Sequence, residues 1–281
     1  MSLAATRPRS RGVKPSKVAW SVLGWVVALA FFFPVLWMVL EALKTEPQAA
    51  SVPPTIFFVP TFAQFQEVLS RDFPPYFINS AMATIGSTLL VLILGMPAAY
   101  ALAIRPVKKT RDVLFFLIST RFLPFAASLV PLYILARNLH LLDNIFALVI
   151  IYTTINLPLG IWLLRSFMLE LPNDLFEAAR VDGASFRHEL TRVILPLIVP
   201  GIAATSLICL IFAWNEFFYA VNFTSSVAAT SPIFLVGFVS GRGLFYAKLA
   251  AAATLASLPV LMAGWIAQKQ LIRGLTMGAV K

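Results

Sequence analysis

The chain has 281 residues, 59% of them hydrophobic and only 12% charged, with a mean hydropathy of +0.86. Soluble domains hold roughly a half and a quarter, so a soluble enzyme or binding module is excluded and much of this surface must face lipid. The net charge of +10 does not mark a nucleic-acid binder, because the basic residues are scattered over membrane-flanking segments with no soluble fold to present them.

The expected architecture is an all-α polytopic membrane protein. Six segments run about 20 residues or more with few charges, enough to cross about 30 Å of hydrocarbon at about 1.5 Å per residue. They are Ala19 to Leu43, Ser80 to Ile104, Val113 to Ala136, Asn144 to Phe167, Val199 to Val221 and Tyr246 to Ala267. Each is read as a helix, since a lipid-exposed backbone has to satisfy its own hydrogen bonds. Of the 22 Lys and Arg, sixteen fall in 1–18, 105–111, 165–192 and 268–281, five fall on the other side, and Arg121 lies inside a span. The positive-inside rule therefore puts both termini in the cytoplasm.

The basic tail, residues 1–18, reads as disordered. The apolar run behind it is too long for a signal peptide and lacks a small-residue cleavage site, so span one is uncleaved. The outer segment from Lys44 to Asn79 carries Pro47, Pro53, Pro54, Pro60, Pro74 and Pro75. So many prolines predict a cap with one short helix near Phe62 to Leu69. Span three contains Arg121, followed by Phe122-Leu123-Pro124. A charge at that depth costs about 2.5 to 3.5 kcal/mol and asks for a partner. Glu216 is offset by about 15 Å along the membrane normal and Asn156 by about 5 Å, which favours Asn156. The other reading has Arg121 snorkelling to the surface or bonding backbone carbonyls.

Residues 171–198, LPNDLFEAARVDGASFRHELTRVILPLI, form the longest charged stretch between two spans. Asp174 and Glu177 stand three apart, the spacing of a capping box. Gly183 is placed to take the left-handed conformation that ends a helix, and Ser185 to cap a second one before Leu195-Pro196 and Pro200-Gly201 break it. The prediction is a helix-Gly-helix hook. Span five carries Trp214, Asn215, Glu216 and Tyr219, a set of indole, carboxamide, carboxylate and phenol suited to hydroxyl-rich solutes. On one helix Asn215 and Tyr219 share a face, with Glu216 about 100° away. Trp214 and Tyr219 also fit interfacial anchors. In span six the run Ala250-Ala251-Ala252-Ala253 suits close helix packing, within the bundle or against a second subunit. No nucleotide, HExxH or cysteine-based metal motif is present, and the single cysteine, Cys209, lies in an apolar span. His140 and His188 fall on opposite sides of the membrane.

Glu177-Ala178-Ala179, Asp182-Gly183-Ala184 and Ile194-Leu195-Pro196 resemble the EAA loop of permease subunits of bacterial binding-protein-dependent ABC importers. Ala213-Trp214-Asn215-Glu216-Phe217 and Arg273 to Lys281 narrow the resemblance to the carbohydrate branch, the maltose-permease G type. Gly243 to Leu249 and Gln268 to Gly274 look most like the mannitol and sorbitol permeases. The resemblance covers nearly the whole chain and implies the type I importer fold in a bacterial inner membrane. It implies that the chain binds no cofactor and that ATP and Mg belong to two separate ABC ATPase subunits. Glu177, Ala178, Ala179, Asp182, Gly183, Ala184, Leu195 and Pro196 would couple to those ATPases, with Gly274, Leu275, Thr276 and Lys281 as a second contact. Arg121, Asn156, Trp214, Asn215, Glu216 and Tyr219 would line the path. Ser240, Gly241, Arg242 and Gly243 would tip a loop that reaches into a solute-binding protein, and a second homologous permease subunit would complete the channel as a heterodimer. The rival class is an ion-coupled secondary transporter, with Glu216 and Arg121 as a relay and inverted repeats with broken midplane helices as its signature.

Overall fold

The computed structural model describes residues 15–70, 73–104, 108–122, 125–240 and 243–277. The first long helix, α1 (Pro15–Ala42), is followed by the short α2 (Glu46–Ala49) and α3 (Ala63–Ser70), then by α4 (Phe73–Ala103). Next come α5 (Thr110–Ser119), a 3-10 turn (Thr120–Phe122), α6 (Phe125–Asn138) and α7 (Ile145–Leu169). The hook holds α8 (Asn173–Val181), α9 (Phe186–His188), a wide π-helical turn (Glu189–Ile194) and α10 (Leu195–Leu197). The rest is α11 (Val199–Trp214), α12 (Phe218–Phe223), α13 (Ser231–Val236), a two-residue antiparallel ladder β1 (Val239–Ser240) with β2 (Gly243–Leu244), and α14 (Tyr246–Met277).

Among the described residues, four helices are long and apolar enough to cross a bilayer unbroken: Ala19–Ala42, Phe73–Ala103, Ile145–Leu169 and Tyr246–Gln270. Expected spans three and five are not single helices. Thr110–Phe122 and Ala127–Asn138 meet at 90°. Phe186–Leu197 meets Val199–Trp214 at 82°, and α11 stops at Trp214 instead of running on to Val221. Two other boundaries move as well. Helix α4 starts at Phe73, because Pro74 and Pro75 fall in its first turn, where the missing amides have no helical partner to lose. Helix α14 continues to Met277 and absorbs most of the expected tail 268–281. The short helix expected near Phe62 is α3.

Packing gathers at the two ends of the bundle. At one end Met96, Ala99, Tyr100 and Leu102 of α4 and Ile161, Leu164 and Met168 of α7 close on Phe176, Ile194 and Ile198 of the hook. At the other, Ala42, Val68 and Phe73 pack on Ala250, Ala251 and Ala256 of α14, and Ala83, Leu148 and Tyr152 pack on Ala213, Tyr219 and Phe223. Helices α4 and α7 thus run in the same direction and both deliver their last turns to the hook. Helix α1 is exposed around its whole circumference from Ala19 to Leu36 and joins the bundle only near its end.

Candidate coupling hook and transport path

Helix α8 starts from Pro172, held at φ −61 and ψ 136, and not from Asp174. The expected capping box is therefore absent: proline fixes the entry two residues early, and Asp174 sits in the first turn, where its charge faces the positive end of the helix dipole. The other end is as expected. Gly183 takes φ +76; the amide of Ala184 donates to the carbonyl of Ala179 at 2.9 Å and that of Gly183 to Arg180 at 3.0 Å. This paired pattern is the Schellman motif, which satisfies the last carbonyls of a helix and needs a left-handed residue. Ser185 Oγ then accepts from the amide of His188 and caps the second arm.

One face of the hook belongs to this chain and the other is free. Phe176 and Ala179 are buried, so the third residue of the Glu177-Ala178-Ala179 triplet packs inward. The Phe186 ring meets Tyr100 edge-on at 5.1 Å, and Arg180 reaches the fully buried Glu189 carboxylate at 3.6 Å, tying the two arms together. Gly201, at the start of α11, lies against the Phe167 ring so closely that a Cβ there would overlap it. Glu177, Ala178, Asp182, Gly183, Leu195 and Pro196 stay exposed, Ala184 is half-buried, and Val181 is 87% exposed. A cavity of about 340 Å³ lies at the turn, lined by Ala179, Asp182, Gly183, Ala184, Ser185 and His188, among others.

The polar set of span five is divided by the helix break. Trp214 is buried, donates Nε1–H to the carbonyl of Ala256 at 2.9 Å and packs edge-on with Phe77. Tyr219 is buried on the far side of the break, with its hydroxyl 2.7 Å from Ser128 Oγ. Asn215 and Tyr219 thus share no helix face, contrary to the expectation from spacing, because residues 215–217 are not helical. Asn215 is exposed and donates to Ile211 one turn back. Glu216 is half-buried, and its carboxylate accepts from the amides of Tyr219 at 3.0 Å and Ala220 at 3.2 Å. It caps α12, a role that composition alone did not reveal.

Arg121 resolves to the second of its two expected readings. Its guanidinium donates to the carbonyl of Ile155 at 2.7 Å and lies over the Phe212 ring, 5.3 Å from the centroid. Asn156, the next residue, is buried, and its Oδ1 has no hydrogen-bond partner among the described residues. At the end opposite the hook, a residue not singled out from sequence organises the surface. Asp143, at φ +52, accepts from the amides of Ser225, Ser226, Val227 and Ala228 and from the Ser225 hydroxyl at 2.7 Å. Partial burial opposes its ionisation, but these donors hold the carboxyl well below the usual carboxylate range. Ser240 and Gly243 face each other across the two-residue ladder. Gly241, Arg242 and Lys281 lie outside the described residues, while Gly274, Leu275 and Thr276 continue the backbone of α14.

Residues 91–276 match the family described as the binding-protein-dependent transport system inner membrane component. The chain belongs to this family. This permease component is 40% identical over 266 residues to the probable ABC transporter permease protein y4oR of Sinorhizobium fredii, covering 94% of this chain and 96% of that one. It is 31% identical to the sulfoquinovosyl glycerol transport system permease protein SmoH of Agrobacterium fabrum, over 100% of both chains. In fold it superimposes on a bacterial ABC transporter that imports the acidic polysaccharide alginate, with a TM-score of 0.74, 24% identity, and coverage of 95% of this chain and 100% of that one. The component is a membrane subunit and not an enzyme; the ATPase is a separate subunit. The two broken spans, a feature expected of an ion-coupled secondary transporter, occur here within a binding-protein-dependent permease.

Proposed function

We propose that this permease subunit moves a sugar or sugar alcohol inward across the cytoplasmic membrane, and that its hook transmits ATPase closure to the path. The observation that carries the reading is the two-sided hook. Its inner face is welded through Phe176, Ile194 and Ile198 to the ends of α4 and α7. Its outer face presents Glu177, Ala178, Asp182, Gly183 and the bare Val181 around a rigid turn. A part seated in an ATPase cleft on one side and fixed to two long helices on the other moves those helices as a rigid body. ATP then acts through its differential affinity for the open and closed ATPase dimer, as any ligand that shifts a conformational equilibrium must.

Two ATPase subunits carry the ATP and Mg, a solute-binding protein delivers the solute on the opposite face, and a second homologous permease closes the channel. The hook and both termini lie in the cytoplasm, where the positive-inside rule puts them. The last turn of α14, through Gly274, Leu275 and Thr276, and Lys281 beyond it add a second ATPase contact; Ser240, Gly241, Arg242 and Gly243 contact the binding protein. The relatives named for sulfoquinovosyl glycerol and alginate support a carbohydrate cargo. The Gly243 to Leu249 and Gln268 to Gly274 stretches favour a polyol such as mannitol or sorbitol within that class. Of the polar set in span five, Asn215 and Glu216 keep accessible surface with which to line the path, while Trp214 and Tyr219 are buried. The test of the docking is cross-linking from Val181→Cys, in a Cys209→Ala background, to the ATPase subunits of the assembled transporter. A cross-link that changes yield with ATP supports the reading, and its absence from an assembled complex overturns it. Uptake compared across polyols and disaccharides decides the cargo separately.

A further inference from the structure

We propose that residues 50–62, on the face opposite the hook, are inserted into the interfacial zone of the bilayer and anchor the outer end of α1 in lipid. The segment reads ASVPPTIFFVPTF and contains no charged residue. Val52, Ile56 and Phe62 are exposed, Val59 is 83% exposed and Phe57 92%. Five large exposed apolar side chains within eleven residues are more than the single scattered ones of ordinary surface and point to an interaction site.

Its depth is fixed by a backbone bond. The Thr61 amide donates to the carbonyl of Leu43 at 2.8 Å, so the segment returns to the level where α1 ends. That helix is long and apolar enough to cross the membrane, with length to spare, which puts its last turn at the interfacial level. Lys44 sits at the same level, paired with Glu41 at 2.7 Å and stacked on Phe58, which turns Phe58 inward and leaves its neighbour Phe57 outward. Pro54 and Ser51 share a cavity of about 520 Å³ with Trp37, Met38 and the Lys44-paired Glu41 of α1 and with Leu249 and Ala253 of α14. The apolar surface of the segment thus continues onto two membrane helices.

Its polarity points the same way. The side chains of Ser51 and Thr55 bond each other at 2.7 Å, and Thr61 Oγ1 accepts from the amide of Ala63. All three hydroxyls are thus engaged within the chain. Pro53, Pro54 and Pro60 carry no amide hydrogen, so bringing this backbone into a low-dielectric zone strands fewer donors. A protein partner would want a polar rim and direct hydrogen bonds around its apolar contact, and this surface offers almost none. The irregular backbone keeps the segment out of the hydrocarbon centre and restricts it to the headgroup and upper acyl region.

The test uses the whole transporter in lipid nanodiscs, with a spin label on Phe57→Cys or Val59→Cys in a Cys209→Ala background. Both positions are exposed, so the label disturbs no packing. Collision rates with oxygen, which partitions into lipid, and with a water-soluble nickel chelate are compared. Insertion predicts oxygen collisions in excess at both sites, a positive depth parameter. Nickel collisions in excess would place the segment in water, and exclusion of both reagents would place it under a partner protein; either result overturns the proposal.

Discussion

Asp143→Asn removes one charged oxygen from a knot of hydrogen bonds that ties the turn before α7 to residues 225–228, more than 80 positions further along the chain. A hydrogen bond to a charged group is worth about 1.5 to 3 kcal/mol, but the site is partly solvated and Asn retains one acceptor oxygen. The expected loss is about 2 to 3 kcal/mol in the local opening of 224–230, which corresponds to about 30- to 150-fold faster amide exchange there. Hydrogen exchange with mass spectrometry on the assembled transporter reads this directly. The carboxyl is held below its ordinary value in the folded chain, so its contribution is fully present above about pH 4, the unfolded value, and is lost as pH falls towards the folded one. Protection of 224–230 should therefore weaken on acidification in the parent chain and stay flat in the Asn variant. Equal exchange in the two chains at neutral pH would refute the reasoning, since the amides would then owe nothing to the carboxylate.

Gly201→Ala should cost about 1 to 3 kcal/mol by overpacking against the Phe167 ring, lowering the melting temperature of the complex; adding Phe167→Leu should restore part of it. Glu216→Gln weakens the cap on α12 by about 0.5 to 2 kcal/mol and should lower the melting temperature of the complex; uptake that falls further than the loss of folded complex would mark the carboxylate's part in the path. Arg121→Met leaves the Ile155 carbonyl without its donor, at a cost of about 1 to 3 kcal/mol, which a melting curve of the detergent-solubilised complex should register.

The elements legible in the sequence were those decided locally. Gly183 was readable because a Schellman turn demands a left-handed residue within a few positions of the helix end, and Ser185 because its partner amide is three residues away. Apolar run length found the membrane helices, but it measures hydrophobicity and not continuity. Hence it passed over the 90° bend beyond Phe122 and the break after Trp214. The same break undid the shared face of Asn215 and Tyr219 and gave Glu216 a helix to cap. Asp174 lost its cap position to Pro172, a competition between two N-terminal signals that spacing alone does not rank. Asp143 left no trace in the sequence, because its donors are distant in the chain and mostly backbone amides.

The central claim is that a rigid turn at Gly183 carries ATPase motion to the membrane helices. Gly183→Pro forces φ near −65° where the chain needs +76 and removes the amide that bonds Arg180, while every long helix keeps its sequence. Gly183→Asn, which tolerates the left-handed region, serves as the mild control. In reconstituted transporter the account predicts that the Pro variant assembles yet loses both binding-protein-stimulated ATP hydrolysis and uptake, with the Asn variant retaining most of each. Uptake that survives in the Pro variant, or that follows a proton gradient without the ATPases, would contradict it.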